Sequence, residues 1–206
     1  VTTFNDRLTL LRVKLEEETA GVWDDDALRD SYNQSMRTVV AETDPPEFLS
    51  EYRFNTVAGT RTYALTASAT LHRETIVLYH STNKMYRERP YEWSGLTLTA
   101  TGTPEGYAIV NASLYLRPVP GVAASMVHWY KAWPTALTAT GSTIEVPNHL
   151  MPAVEARVLA QAFEQVGDAE ASNREWTNYE RFLHDARNQQ TSANMSDDFC
   201  PISTAW

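Results

Sequence analysis

The chain has 206 residues, 43% of them hydrophobic, with 6 Trp, 10 Tyr and 6 Phe, and a formal net charge of −9. That length and apolar content sustain a packed core and exclude general disorder, and no run approaches the roughly 18 apolar residues of a membrane span. A single cysteine, Cys200, excludes an internal disulfide framework and cysteine-rich metal sites, and the acidic total speaks against the clustered Lys and Arg that grip DNA phosphates.

The opening VTTFNDRLTLLRVKLEEE lacks the basic start and unbroken apolar stretch of a signal peptide. It reads as a helix. Thr3 is its cap, with Asp6 three residues on as a shortened capping box. Phe4, Leu8, Leu11 and Leu15 fall at spacings of one helical face. Glu16, Glu17 and Glu18 follow, and Gly21 breaks the pattern. A second helix starts at Asp24, Asp25 and Asp26, carboxylates where a helix N-terminus favours them. Trp23 precedes it and can staple onto Leu28. Its buried face is expected to be Leu28, Tyr32, Met36, Val39 and Val40, and Pro45–Pro46 end it.

From residue 51 to 146 the pattern changes to short alternating or β-branched runs around Phe54, Tyr63, Val77, Thr97, Ile109, Leu114 and Trp129. Turn residues such as Ala58-Gly59, Ser94-Gly95 and Pro120-Gly121 separate them. About seven short strands at that spacing predict an antiparallel sheet, sandwich or small barrel. Helical periodicity returns after Pro147, with Leu150, Val154, Val158, Ala162 and Val166 four apart and Gly167 as the stop. A fourth helix is predicted over 168–188, with Ser172, Trp176, Tyr179, Leu183 and Ala186 on one face. The fold class is therefore α+β, a four-helix body with an inserted β domain and an extended C-terminal tail. The expected boundaries are 1–50, 51–146, 147–190 and 191–206.

Charge follows that division. Residues 1–50 carry 5 basic and 11 acidic side chains, residues 51–146 carry 8 and 6, and residues 147–206 carry 4 and 9. The ends are acidic and the middle slightly basic.

Catalytic patterns do not assemble. The five histidines show no HExxH or HxH spacing, and there is no GxSxG, GxxxxGK[ST] or GxGxxG. Gly102-Thr103-Pro104-Glu105-Gly106 lies between strands and reads as a hairpin loop, not as a phosphate cradle at a helix start. Asp24, Asp25 and Asp26 point in different directions on a helix and do not converge on one ion. Lys84, Arg87 and Arg89 alternate with Tyr86, Tyr91 and Trp93, which is too few charges for a nucleic-acid groove. No enzyme activity, cofactor or metal is expected. The polar tail carries spaced apolar residues, Met195, Phe199, Ile202 and Trp206, and a segment of that kind is expected to be disordered in the monomer or ordered against a partner.

The order of elements resembles the head–tail connector adaptors of tailed bacteriophages, especially the podovirus type called tail tubular protein A. The likeness rests on the opening helix and on the Trp23-Asp24-Asp25-Asp26-Ala27-Leu28 start of a second helix carrying Asn33 and Met36. It rests further on Gly102–Tyr107 followed by Leu114–Pro120, on Trp129–Ala132, and on Ile144–Pro147 leading into the third helix. The resemblance implies a virion structural protein at the head–tail interface, assembled in the host cytoplasm. It implies a ring, usually of twelve copies, under the portal, with tail or nozzle proteins as further partners. Helical bodies would line the channel for double-stranded DNA without binding it specifically. Phe199, Ile202 and Trp206 become the portal-binding candidates, and Glu16, Glu17, Glu18, Asp24, Asp25 and Asp26 the channel-facing acids. Another neck or tail-completion protein is one alternative. A carbohydrate-binding module with Trp93, Trp129 and Trp133 as a platform is another.

Overall fold

The computed structural model describes residues 2–16, 22–64, 72–80, 85–88, 100–110 and 113–197, with 72–80, 85–88 and 190–197 described by their backbone alone. The chain forms two compact units, Val1–Glu47 with Pro134–Trp206, and Phe48–Trp133.

The first unit is helical. Helix α1 (Phe4–Lys14) opens on the expected capping box, in which the Asp6 N–H donates to Thr3 Oγ1 and the Thr3 N–H donates to Asp6 Oδ2. Two further helix-start donors find partners far along the chain: the Phe4 N–H reaches the Ser142 carbonyl at 2.9 Å and the Asn5 N–H reaches Thr140 at 2.8 Å. Phe4, Leu8 and Leu11 are buried. Helix α2 (Asp25–Thr43) starts on Asp24, whose carboxylate accepts the Ala27 N–H at 2.5 Å. All five residues expected on its buried face are buried, and so is Trp23 just before it. It ends on Asp44 in the left-handed region, with its N–H on the Val40 carbonyl at 3.0 Å.

Helix α3 (Met151–Val166) carries a proline in its first turn, where the missing N–H costs nothing. Gly167, with φ 79°, takes the left-handed cap that a Cβ disfavours. Asp168 then caps α4 (Ala169–Asp197) through the Ala171 N–H at 3.0 Å. Helices α2, α3 and α4 pack on one another, and Val154, Val158, Leu159, Tyr179, Leu183 and Ala186 fill the space between them. Helix α4 runs on past the expected end at Asn188, and 191–197 is helix where an extended tail was expected. No Gly or Pro stands between Gly167 and Pro201 to stop it.

The second unit is β-rich. It contains β1 (Leu49–Asn55), β2 (Thr62–Ala64), β3 (His72–His80), β4 (Met85–Glu88), β5 (Thr101–Gly102), β6 (Gly106–Val110), β7 (Ser113–Arg117), β8 (Val119–Pro120) and β9 (Ser125–Ala132). Seven strands form one sheet in the order β1-β9-β3-β4-β6-β7-β2, and β5 pairs with β8. Pairing is antiparallel, as expected, except for two short parallel contacts, β4 with β6 and β5 with β8. The Gly102–Gly106 stretch is therefore not a hairpin turn. It leads from one sheet to the other, and the Glu105 N–H donates to the Arg117 carbonyl at 2.8 Å. A run expected around residues 96–99 lies outside the described residues. Alternation decides the core: Met126 and His128 on β9 and Leu114 and Leu116 on β7 point inward. Tyr107, Leu114, Leu116 and Met126 form the cluster, with Phe54, Tyr63 and Ile109 packed against it.

Candidate interaction surfaces

Three polar ties shape the helical unit, and each joins residues distant in sequence. Glu155 on α3 is buried and accepts from Arg7 Nη1 at 3.0 Å and from Lys14 Nζ at 3.3 Å, both on α1. Two cations around one buried carboxylate offset its loss of hydration. Asn33 on α2 holds Leu137 on both sides: its Nδ2 donates to the Leu137 carbonyl at 3.1 Å, and the Leu137 N–H donates to its Oδ1 at 2.8 Å. This tie and the Ser142 and Thr140 contacts place the stretch after Pro134 with the helices, whereas the sequence placed it with the β segment up to residue 146. Arg187 on α4 donates through Nε and Nη2 to the Glu42 carbonyl at 3.2 and 3.0 Å. Beside it, the Arg157 guanidinium lies 5.3 Å from the Trp176 ring and 5.5 Å from the Tyr179 ring. Burial first, and then the Glu42 carboxylate, push the Tyr179 hydroxyl up to about 12. Tyr32 is raised as well, chiefly by burial. Neither phenol is set up for proton transfer near neutral pH.

The acidic candidates play unequal parts. Asp24 is exposed and spends one carboxylate oxygen on the helix cap. Asp25 is half-buried and pairs with Arg12, whose guanidinium also donates to the Trp23 carbonyl at 3.1 Å. Asp26 is exposed and pairs with Arg29 at 2.7 Å. The three carboxylates thus serve separate partners and do not converge. Glu16 is exposed just past α1, with φ 58°. Glu17 and Glu18 lie outside the described residues, as do Phe199, Ile202 and Trp206. Other acids face solvent along the helices, among them Asp30, Glu42, Asp44, Glu164, Asp168 and Asp185.

A groove of about 560 Å³ opens between α3 and α4 beside Lys14. Pro152, Ala156, Leu159, Phe163 and Phe182 give it apolar walls. Its charged rim is asymmetric. The Glu155 and Glu175 side chains are 11% and 14% exposed, and those of Lys14 and Arg174 are 51% and 66% exposed. Each cation is paired with its neighbouring carboxylate, Lys14 with Glu155 and Arg174 with Glu175, at 3.3 Å in both cases. Sequence reasoning missed it because its walls come from two helices whose facing residues also read as ordinary core positions.

The β unit offers no comparable site among its described residues. Trp129 and Trp133 are half-buried, so they do not make an exposed platform, and Trp93 lies outside the described residues. The side chains of Lys84, Arg87 and Arg89 also lie outside them. Among the described residues no group of three or more His, Cys, Asp or Glu is placed to hold a metal ion, and no helix is long and apolar enough to cross a membrane. A protein-family model described as SU10 adaptor protein matches residues 2–199. No curated protein matches the chain.

Proposed function

We propose a ring-shaped conduit between phage head and tail, and the premise is this: the chain belongs to the SU10 adaptor protein family, the phage head–tail adaptors. As a family member it is a virion structural protein. The finer reading is that copies assemble, in a ring of twelve, beneath the portal protein and provide the attachment site for tail or nozzle proteins. The helical unit lines the DNA channel, the β unit meets tail components, and the residues after Asp197 dock on the portal through Phe199, Ile202 and Trp206. The protein has no catalytic role. It is assembled in the host cytoplasm.

The family match over nearly the whole chain carries this reading. The exposed acids of the helical unit support the channel role. A wall of one negative sign repels phosphate and leaves no site that would trap passing DNA. Glu16, Glu17 and Glu18 are the candidates for that wall. Asp24 and Asp25 are weaker candidates, because a cap and the Arg12 pair already employ them.

The test is co-assembly with the portal ring, followed by native mass measurement and imaging. The full chain is expected to add a ring to the portal, and a chain lacking residues 198–206 to stay folded and fail to dock. Undiminished docking of the truncated chain sinks the tail assignment, and failure of the full chain to dock sinks the head–tail arrangement. Replacing Glu16, Glu17 and Glu18 with Gln is expected to leave assembly intact and to slow DNA ejection. Finding those side chains on the outer wall of the assembled ring would remove them from the channel.

A further inference from the structure

We propose that two copies of this chain, before they meet the portal, pair edge to edge through β1, antiparallel and centred on Tyr52, so that their sheets become one. The proposal does not rest on the ring reading above.

Strand β1 closes one end of the seven-stranded sheet, and among the described residues it pairs with β9 alone. The register fixes which of its backbone groups that pairing uses. The Thr56 N–H donates to the Ala124 carbonyl at 2.8 Å, and this pair continues the ladder one step past Asn55 and Ser125. Hydrogen-bonded pairs alternate along an antiparallel ladder, so Phe54, Tyr52 and Ser50 turn their N–H and carbonyl groups toward β9. Leu49, Glu51, Arg53 and Asn55 turn theirs off the edge, and these residues are exposed. Such a row of unpaired donors and acceptors is a template for a further strand.

The row is complementary to its own copy. In an antiparallel pairing centred on Tyr52, Leu49 meets Asn55 and Glu51 meets Arg53 of the second copy, and every outward N–H and carbonyl finds a partner. Glu51 and Arg53 already pair along their own strand. In this register each also has an unlike charge directly across from it. The neighbouring hydrogen-bonding registers use fewer groups and set Glu51 on Glu51, or Arg53 on Arg53, which is destabilising. Tyr52 meets its own counterpart at a non-hydrogen-bonded pair, where cross-strand side chains come closest. Its ring is half-buried and stacks on half-buried Phe54, with centroids 5.7 Å apart. The second copy adds cover to both rings. A twofold contact of this kind consumes the edge of both copies and stops at a dimer. It is a state of the unassembled protein, separate from the contacts that build a ring.

The experiment follows the full chain, without portal and under reducing conditions, by sedimentation and native mass across a dilution series. A dimer that dissociates on dilution is expected, and a monomer throughout overturns the proposal. Glu51→Arg and Arg53→Glu each set like charges across the contact and should weaken the dimer about ten-fold. Mixed with each other, the two variants should form a mixed dimer that recovers most of that loss. No weakening, or no mixed dimer, overturns the register. Arg53→Pro removes one outward N–H and spares the β9 ladder. A dimer as tight as the parent in that variant lies elsewhere on the chain and overturns the proposal. Amide exchange reads the edge directly: on concentrating the protein, the Glu51, Arg53 and Asn55 amides should slow, because the dimer alone protects them. No slowing there overturns the pairing as well.

Discussion

The two units of this chain solve different physical problems. The helical unit carries 9 basic and 21 acidic side chains, and the β unit 8 and 5. The helical unit also holds its polar ties across great sequence distances, such as Arg7 to Glu155 and Asn33 to Leu137. The β unit relies on backbone ladders and a small cluster around Leu114, Leu116 and Met126. Among its described residues the Tyr63 hydroxyl donates to the Thr60 carbonyl at 2.8 Å and accepts from the Val57 N–H at 2.9 Å, and the Ala124 N–H donates to Thr56 Oγ1 at 2.9 Å. The comparison teaches that the charge boundary is a structural one. Placing Pro134–Val146 with the helices moves Glu145 into the acidic unit, and the segregation becomes sharper than the sequence division made it.

The largest test of that contrast is a core truncation in each unit. Phe4→Ala removes a fully buried ring that meets Tyr32 edge-on, with ring centroids 5.5 Å apart. It should cost about 3–5 kcal/mol, and Leu116→Ala in the β unit about 2–5 kcal/mol. Urea unfolding followed separately by helical and strand signals should show each variant lowering its own unit's transition. Equal loss in both signals would break the division into two units. Next comes Glu155→Gln, which leaves Arg7 and Lys14 facing a neutral amide. A loss of about 3 kcal/mol is expected in the helical signal alone. Asn33→Ala should cost about 1–3 kcal/mol, since it strands the N–H and carbonyl of Leu137. Faster amide exchange at Leu137 checks it. Asp24→Ala should cost about 1 kcal/mol as a lost cap, read from the same unfolding curves.

The smallest effect is one of pH. The Asp6 carboxyl is held below its usual 3.8, first by the Thr3 hydroxyl and then by the Thr3 N–H. A folded-state pKa below the unfolded one contributes stability that is present above the unfolded value and is lost as pH falls through the folded value. The start of α1 should therefore fray as pH drops below about 4, and Asp6→Asn should abolish that step in the exchange rate of the Asp6 amide. An unchanged step would place its origin in another carboxylate.

Most of the helical unit was legible from local signals. Caps at Thr3, Asp24 and Gly167 and the spacing of Leu28, Tyr32, Met36 and Val39 act within a turn or two, so they survive without tertiary information. The end of α4 was not legible, because 189–197 lacks both apolar periodicity and a breaker. Strands β4, β5 and β8 are too short to show alternation, and the parallel partners of β4 and β5 depend on where other strands already lie. The interaction surfaces were the least legible. The Asn33 clamp offers no sequence sign beyond one amide on a helix, and the groove exists only once α3 and α4 have packed.

The carbonyls of Thr140 and Ser142 that receive the first N–H groups of α1 have a bearing on time. On a ribosome the chain emerges from its N-terminus. Helices α1 and α2 are made before the β unit but wait for residues 137–166 to supply two acceptors for the start of α1, the partner of the Asn33 clamp, and Glu155. The β unit is complete in sequence by Trp133 and can settle while the older helices are still unfinished. These two helices, made before the β unit, are thus finished after it, and their apolar faces stay open to other nascent chains in the interval.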